Sequence, residues 1–135
     1  MVPSILIVED DLTFSTMLKT WLGKKGFEVE TASTQAKARK QIGTRDFDLI
    51  LSDLRLPDQD GLSLLSWLRE QGNQVPFIIM TSYAEIQSAV RAMKEGATDY
   101  ISKPVQPDAL RKKIKEALHQ ENTPAESGNE QNAAQ

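Results

Sequence analysis

The sequence contains no cysteine and a single histidine. The missing cysteines exclude disulfides, thiolate metal sites and cysteine nucleophiles, and they suit a reducing, cytoplasmic setting. Apolar runs are short, and none approaches the ~20 residues that span a bilayer. Met1 leads almost directly into Ile5-Leu6-Ile7-Val8 without the basic-then-apolar pattern of a leader. Neither a membrane span nor a cleaved leader is therefore expected. Cations are not in excess either: 16 Lys and Arg face 19 Asp and Glu, for a formal net charge of −3. Nucleic-acid affinity comes mostly from cations that neutralise phosphates. With no basic stripe carrying interleaved aromatics, direct nucleic-acid binding is not expected, and any DNA contact falls to another domain. The rest is ordinary. A chain of 135 residues, 39% hydrophobic and 26% charged, suffices for one domain that buries its core without metal or crosslink.

Short apolar runs alternate with longer amphipathic ones. Residues Ser4–Val8, Phe47–Asp53 and Val75–Thr81 are almost continuously Ile, Leu, Val or Phe, as in strands of a parallel sheet buried on both faces. Glu28–Ala32 and Asp99–Ser102 are weaker strand candidates. Between them, Phe14, Met17, Leu18, Trp21 and Leu22 form one helical stripe that stops before Gly26. Ala36, Ala38 and Ile42 give the inner face of a helix over Thr34–Thr44, and Leu62, Leu64, Leu65 and Leu68 mark another after Gly61. Ile86, Ala89, Val90 and Met93 make a fourth, ended by Gly96; Leu110, Ile114, Ala117 and Leu118 make a fifth after Pro107-Asp108. Five strand–helix repeats imply parallel strands, right-handed crossovers and helices on both faces. Residues 1–120 form this domain, and the Asn-, Gln- and Glu-rich stretch 121–135 reads as a disordered polar tail or an interdomain linker.

In an open parallel sheet, ligands bind beyond the carboxyl ends of the strands. The first strand delivers Glu9-Asp10-Asp11 there, the third Asp53, the fourth Thr81 and the fifth Lys103-Pro104. Crowded carboxylates repel one another unless a cation neutralises them. Mg²⁺, or Mn²⁺ in its place, prefers oxygen ligands and leaves positions for water and phosphate. A carboxylate in such a place can attack phosphorus and form an acyl phosphate. The transfer then needs a metal, a cation for the phosphoryl oxygens and a hydroxyl donor. Asp53, Mg²⁺, Lys103 and Thr81 supply one of each. Taken singly, these residues have plainer readings: Asp11 as a helix cap, Thr81 as a capping hydroxyl, Lys103 as a solvated charge and Pro104 as a turn residue.

Val8-Glu9-Asp10-Asp11, Ser52-Asp53-Leu54-Arg55-Leu56-Pro57 with Asp60-Gly61, Met80-Thr81-Ser82, and Asp99-Tyr100-Ile101-Ser102-Lys103-Pro104 together resemble the receiver domains of bacterial two-component response regulators. The resemblance runs from about Ser4 to Leu118. It implies a flavodoxin-like (βα)5 fold with five parallel strands in the order 2-1-3-4-5. It makes Asp53 the phospho-acceptor and Asp10 the principal metal carboxylate. The backbone carbonyl of Arg55 becomes a further metal ligand, and Glu9, where many members have Asp, reaches the ion directly or through water. Thr81 and Lys103 contact the phosphoryl group, and the Lys103-Pro104 peptide is cis. Tyr100 is the switch aromatic that moves with Thr81 and alters the face made by the fourth helix, fifth strand and fifth helix. Arg55 and Tyr83 tune phosphoryl lifetime, with the Tyr83 ring as a shield against water.

Such a domain is a signalling phospho-acceptor, not an enzyme in the usual sense, that accepts its phosphoryl group from a sensor histidine kinase. Leu54-Arg55-Leu56-Pro57, Met80-Thr81-Ser82-Tyr83-Ala84 and Gly96-Ala97-Thr98-Asp99-Tyr100 are most similar to receivers of sigma-54-dependent transcription activators. That likeness implies an ATPase and DNA-binding output outside this chain, and a homodimer formed on phosphorylation through the fourth and fifth helices. A haloacid-dehalogenase-type phosphatase also forms an aspartyl phosphate, but it needs an acid two residues past the nucleophile, where Arg55 stands. A degenerate receiver acting only as an interaction module is expected to have lost Asp10, Asp53, Thr81 or Lys103. A flavodoxin-type cofactor binder needs a phosphate loop where the first strand instead ends in acids. His119 reads as a helix-end residue, and Trp21 and Trp67 as packing residues.

Overall fold

The computed structural model describes residues 2–122. Five strands, β1 (Ser4–Val8), β2 (Glu28–Ala32), β3 (Leu49–Asp53), β4 (Phe77–Ser82) and β5 (Asp99–Lys103), alternate with helices α1 (Leu12–Lys24), α2 (Gln35–Thr44), α3 (Gly61–Glu70), α4 (Ile86–Lys94) and α5 (Pro107–Asn122). All strand pairs are parallel, in the order β2-β1-β3-β4-β5, which is the order that the resemblance implies. The polar stretch after α5 lies outside the described residues.

Alternation along each central strand divides the core in two. Ile5, Ile7, Leu49, Leu51, Ile78, Met80 and Ile101 face Leu18 and Leu22 of α1 and Leu110, Ile114 and Ala117 of α5. Leu6, Val8, Ile50, Phe77 and Ile79 face Ala38 of α2, Leu64, Leu65 and Leu68 of α3, and Ala92 of α4. Strand order reverses between β1 and β3, so the helices that follow them leave toward opposite faces. A crevice opens there, above the carboxyl ends of those strands.

Two strands are shorter than their apolar runs. β4 starts at Phe77 because Pro76 has no N–H for the ladder, although its carbonyl still accepts from Ile50 N at 2.9 Å. β3 starts at Leu49; just before it, Asp48 N donates to Ser4 O at 2.9 Å and its side chain accepts from Ser4 N at 2.8 Å.

Three helix faces differ from the apolar spacing. In α2, Ala36 is exposed and the buried positions are Gln35 and Ala38. In α1, Met17 is 55% exposed. In α4, Val90 and Met93 point outward, and only Ala89 and Ala92 are buried. A 3₁₀ turn, Tyr83–Glu85, precedes α4 and was not evident from the sequence.

Candidate functional site

The ends of β1 and β3 bring Glu9, Asp10 and Asp53 together, with one carboxylate oxygen of each within 4.8 Å of the others. Glu9 and Asp53 are buried at 2% and 7% exposure, whereas Asp10 is exposed. Lys103, at the end of β5, donates to Glu9 Oε1 at 2.9 Å and to Asp53 Oδ2 at 3.1 Å. The Lys103-Pro104 peptide is cis, and the ammonium lies 5.0 Å from the centre of the Phe14 ring. Burial pushes the Glu9 carboxyl above its ordinary pKa, although the Lys103 hydrogen bond acts against this. Burial also works against the Lys103 charge, but the hydrogen bonds to Glu9 and Asp53 outweigh it and raise the pKa. One ammonium thus pairs with two of the three carboxylates, which leaves an acidic excess that offers only oxygen ligands. Asp11 is not part of this group; it caps α1, accepting from Phe14 N at 3.1 Å.

Backbone packing fixes the position of Asp53. A Cβ on Gly61 would lie 2.6 Å from the carbonyl oxygen of Asp53, a separation that no side chain at that position tolerates without backbone movement. Gly61 N donates to Leu54 O at 2.7 Å, so α3 begins directly against the residues that follow β3. Asp60 caps α3 through Ser63 N at 2.9 Å, and its carbonyl accepts from the buried Gln35 side chain at 2.8 Å. Asp58 accepts from Gln35 N and Ala36 N, both at 3.0 Å. These backbone bonds, that from Gln35 foremost, hold the Asp58 carboxyl below its usual pKa. The loop 54–60, which carries the Arg55 carbonyl, is therefore pinned to α2 and α3.

The opposite rim is formed by β4 and the 3₁₀ turn. Thr81 is fully buried; its single hydroxyl proton is shared between Ser82 O at 3.2 Å and Glu85 O at 3.3 Å. The Arg55 guanidinium pairs with the Glu85 carboxylate, which also accepts from Ser82 Oγ at 3.3 Å. Tyr83 is 84% exposed. Tyr100 is half-buried against the core layer shared by α2, α3 and α4, with the Lys113 ammonium 5.7 Å from its ring centre. Trp67 packs against that layer and lies under Arg39, and Trp21 packs against the other.

The profile of the response regulator receiver domain matches residues 5–115. This chain belongs to that family. The receiver is 37% identical over 114 residues to the transcriptional regulatory protein ZraR of Escherichia coli O157:H7, covering 84% of this chain and 26% of that protein. It is 35% identical over 121 residues to the response regulator protein PilR of Pseudomonas aeruginosa, covering 90% and 27%. The receiver thus spans about a quarter of the length of the curated relatives it matches. Among solved structures, a CheY-like receiver domain protein from Methanospirillum hungatei superposes with a TM-score of 0.85 at 36% identity, covering 91% of this chain and 98% of that one.

Sequence reasoning did not find Gln35, Asp58 or Glu85, which lie outside the strand ends. Gln35 carried a usable signal: it stands three residues before Ala38 and seven before Ile42, completing a helical stripe with a polar member.

Proposed function

We propose that Asp53 takes the phosphoryl group and that Glu9, Asp10, Asp53 and the carbonyl of Arg55 hold Mg²⁺ or Mn²⁺ beside it. The observation that carries this reading is that Lys103 bridges Asp53 and Glu9 inside the acidic cluster, so a carboxylate nucleophile, oxygen ligands for a cation and an ammonium for the phosphoryl oxygens meet at one strand edge. A bound divalent ion supplies charge neutralisation to the carboxylates and to the phosphoryl oxygens. An Asp53 carboxylate oxygen attacks phosphorus, forming an O–P bond as the donor's N–P bond breaks. The electron pair stays on the donor histidine nitrogen, which then takes a proton. Lys103 moves its hydrogen bonds from carboxylate to phosphoryl oxygen, and Thr81 turns its hydroxyl from the Glu85 carbonyl toward the same group.

The donor is a sensor histidine kinase, for which Met17 of α1, 55% exposed in a groove also lined by Lys103 and Pro104, offers apolar contact. Movement of Thr81 and Tyr100 alters the α4-β5-α5 face, where the exposed Val90 and Met93 favour a phosphorylation-dependent homodimer. The output is transcription regulation through ATPase and DNA-binding domains of the sigma-54-dependent type. We assign the domain to the cytoplasm, where the DNA lies on which its likeness to transcription regulators would have it act.

The test is intact-mass spectrometry after incubation with Mg²⁺ and acetyl phosphate, alongside Asp53→Asn. A single phosphoryl adduct on the parent alone, abolished by chelator, supports the reading. No adduct on either protein, repeated with a competent kinase, leaves an interaction module as the better account.

A further inference from the structure

We propose that Glu85 is a positioning residue of the resting receiver, whose carboxylate occupies Arg55 and whose carbonyl occupies the Thr81 hydroxyl until a phosphoryl group on Asp53 competes for both. The inference rests on the acceptor role of Asp53 proposed above. Arg55 stands two residues after Asp53, and Glu85 four residues after Thr81, so one ion pair bridges the two loops that flank the acceptor. Both guanidinium contacts, from Nε and from a terminal nitrogen, converge on one oxygen of Glu85, while Ser82 Oγ donates to the other at 3.3 Å.

The backbone of the same residue holds the switch hydroxyl at 3.3 Å. Glu85 also stands at the N-cap position of α4, yet its side chain makes no capping bond to that helix. Its carboxylate is spent across the crevice, where the Arg55 hydrogen bond keeps it below the ordinary carboxylate pKa.

These restraints are suited to release. The Arg55 side chain is 74% exposed, and exposed ion pairs are weak. The hydroxyl bonds of Thr81, at 3.2 and 3.3 Å, are long for O–H···O. A phosphoryl group brings close to two negative charges and three strong acceptor oxygens, so it outcompetes one carboxylate and one carbonyl. Capture of Arg55 frees the Glu85 side chain, and capture of Thr81 empties the Glu85 carbonyl. The first turn of α4 then loses its tether to the loop after β3. Occupancy of Asp53 is thereby converted into freedom of α4.

The experiment is calorimetric titration of beryllium fluoride, a phosphoryl mimic on carboxylates, at saturating Mg²⁺. The proteins are the parent, Glu85→Gln, Arg55→Ala, the double variant and Asp53→Asn. Glu85→Gln should bind two- to fivefold more tightly than the parent, the range an exposed ion pair supports. Arg55→Ala should bind more weakly, and the gain from Glu85→Gln should vanish in its background. Unchanged affinity in Glu85→Gln overturns the proposal. So does an equal gain with and without Arg55, which reduces Glu85 to a distant charge. Failure of the parent to bind overturns the acceptor role and this inference together, whereas binding by the parent but not Asp53→Asn leaves the Glu85 comparison decisive. Matched melting temperatures exclude a folding effect.

Discussion

Asp10→Asn should change the stability of the receiver in opposite directions with and without Mg²⁺. In the metal-free protein, oxygens of Asp10, Glu9 and Asp53 lie within 4.8 Å of one another. At that distance two unit charges repel by about 0.9 kcal/mol in water and about 3.5 kcal/mol at an effective dielectric constant of 20. Asp10 is exposed, so the lower value is the better guide for each of its two repulsions, and the Lys103 ammonium offsets part of them. The amide should therefore stabilise the metal-free fold by about 1 kcal/mol, or raise Tm by about 4 °C for a domain of this length. With Mg²⁺ at a hundredfold excess over its Kd, the parent should gain about 2.7 kcal/mol. The variant should lose most of that gain, because the proposed carboxylate ligand has become a neutral amide. Thermal unfolding followed by circular dichroism, in chelator and in a Mg²⁺ series, reads both effects from the same samples. A variant that melts below the parent in chelator would refute the electrostatic reasoning, and one that keeps the full Mg²⁺ increment would remove Asp10 from the ligand set.

Gly61→Ala should cost about 1–3 kcal/mol and slow phosphorylation by acetyl phosphate, since its Cβ meets the Asp53 carbonyl at 2.6 Å; denaturant unfolding and adduct mass measure the two. Asp58→Ala should cost about 1 kcal/mol near neutral pH by leaving two N–H groups of α2 uncapped. Because folding lowers the Asp58 pKa, its contribution is present above its ordinary value of 3.8 and is lost as pH falls through the lower folded value. The unfolding curves of parent and variant should accordingly converge in acid, and a constant gap down to pH 2 would contradict the assignment. Tyr83→Ala should hydrolyse its phosphoryl group faster than the parent, by loss of adduct over time. An unchanged rate would show that a side chain 84% exposed at rest does not cover the acyl phosphate.

The strands were legible because a buried parallel strand is written in consecutive residues: Ile5-Leu6-Ile7-Val8 and Leu49-Ile50-Leu51 fill both faces of the sheet with no polar gap. Once the strands were placed, their carboxyl ends brought forward Glu9, Asp10, Asp11, Asp53, Thr81, Lys103 and Pro104; their roles came from the family resemblance, and only the structure separates Asp11, the cap of α1, from the acidic cluster. Helix phase was less legible where apolar residues are few. Ala36 and Ala38 lie on different faces of α2, and the inward turn belongs to Gln35, which is buried because Asp60 offers it a carbonyl. The same ambiguity affected α4, where the larger Val90 and Met93 are outside and the smaller Ala89 and Ala92 inside. The pairing of Arg55 with Glu85 joins residues thirty positions apart on two loops, and no local pattern encodes it. Gly61 was visible as the start of a helix, but its approach to the Asp53 carbonyl depends on the tertiary packing of α3.

Helix α4 meets the sheet through a thin apolar face. Its inner face buries two methyl side chains, Ala89 and Ala92, so sliding it by part of a turn uncovers little oil and opens no large void. Its N-terminal side is moored by the Arg55–Glu85 pair. At its C-terminal side, Glu95 accepts from Ser66 Oγ of α3 at 3.1 Å, and Arg69 of α3 donates to the Gly96 carbonyl. A segment fastened by polar moorings rather than by a greasy keel responds to ionic strength where the rest of the sheet does not. Amide protons of α4 should exchange with solvent well before those of α3, whose Leu64, Leu65 and Leu68 are sunk in the core. A drifting helix of this kind would present Val90 and Met93 at a variable angle, so that a partner surface meets several versions of the same face before one is selected.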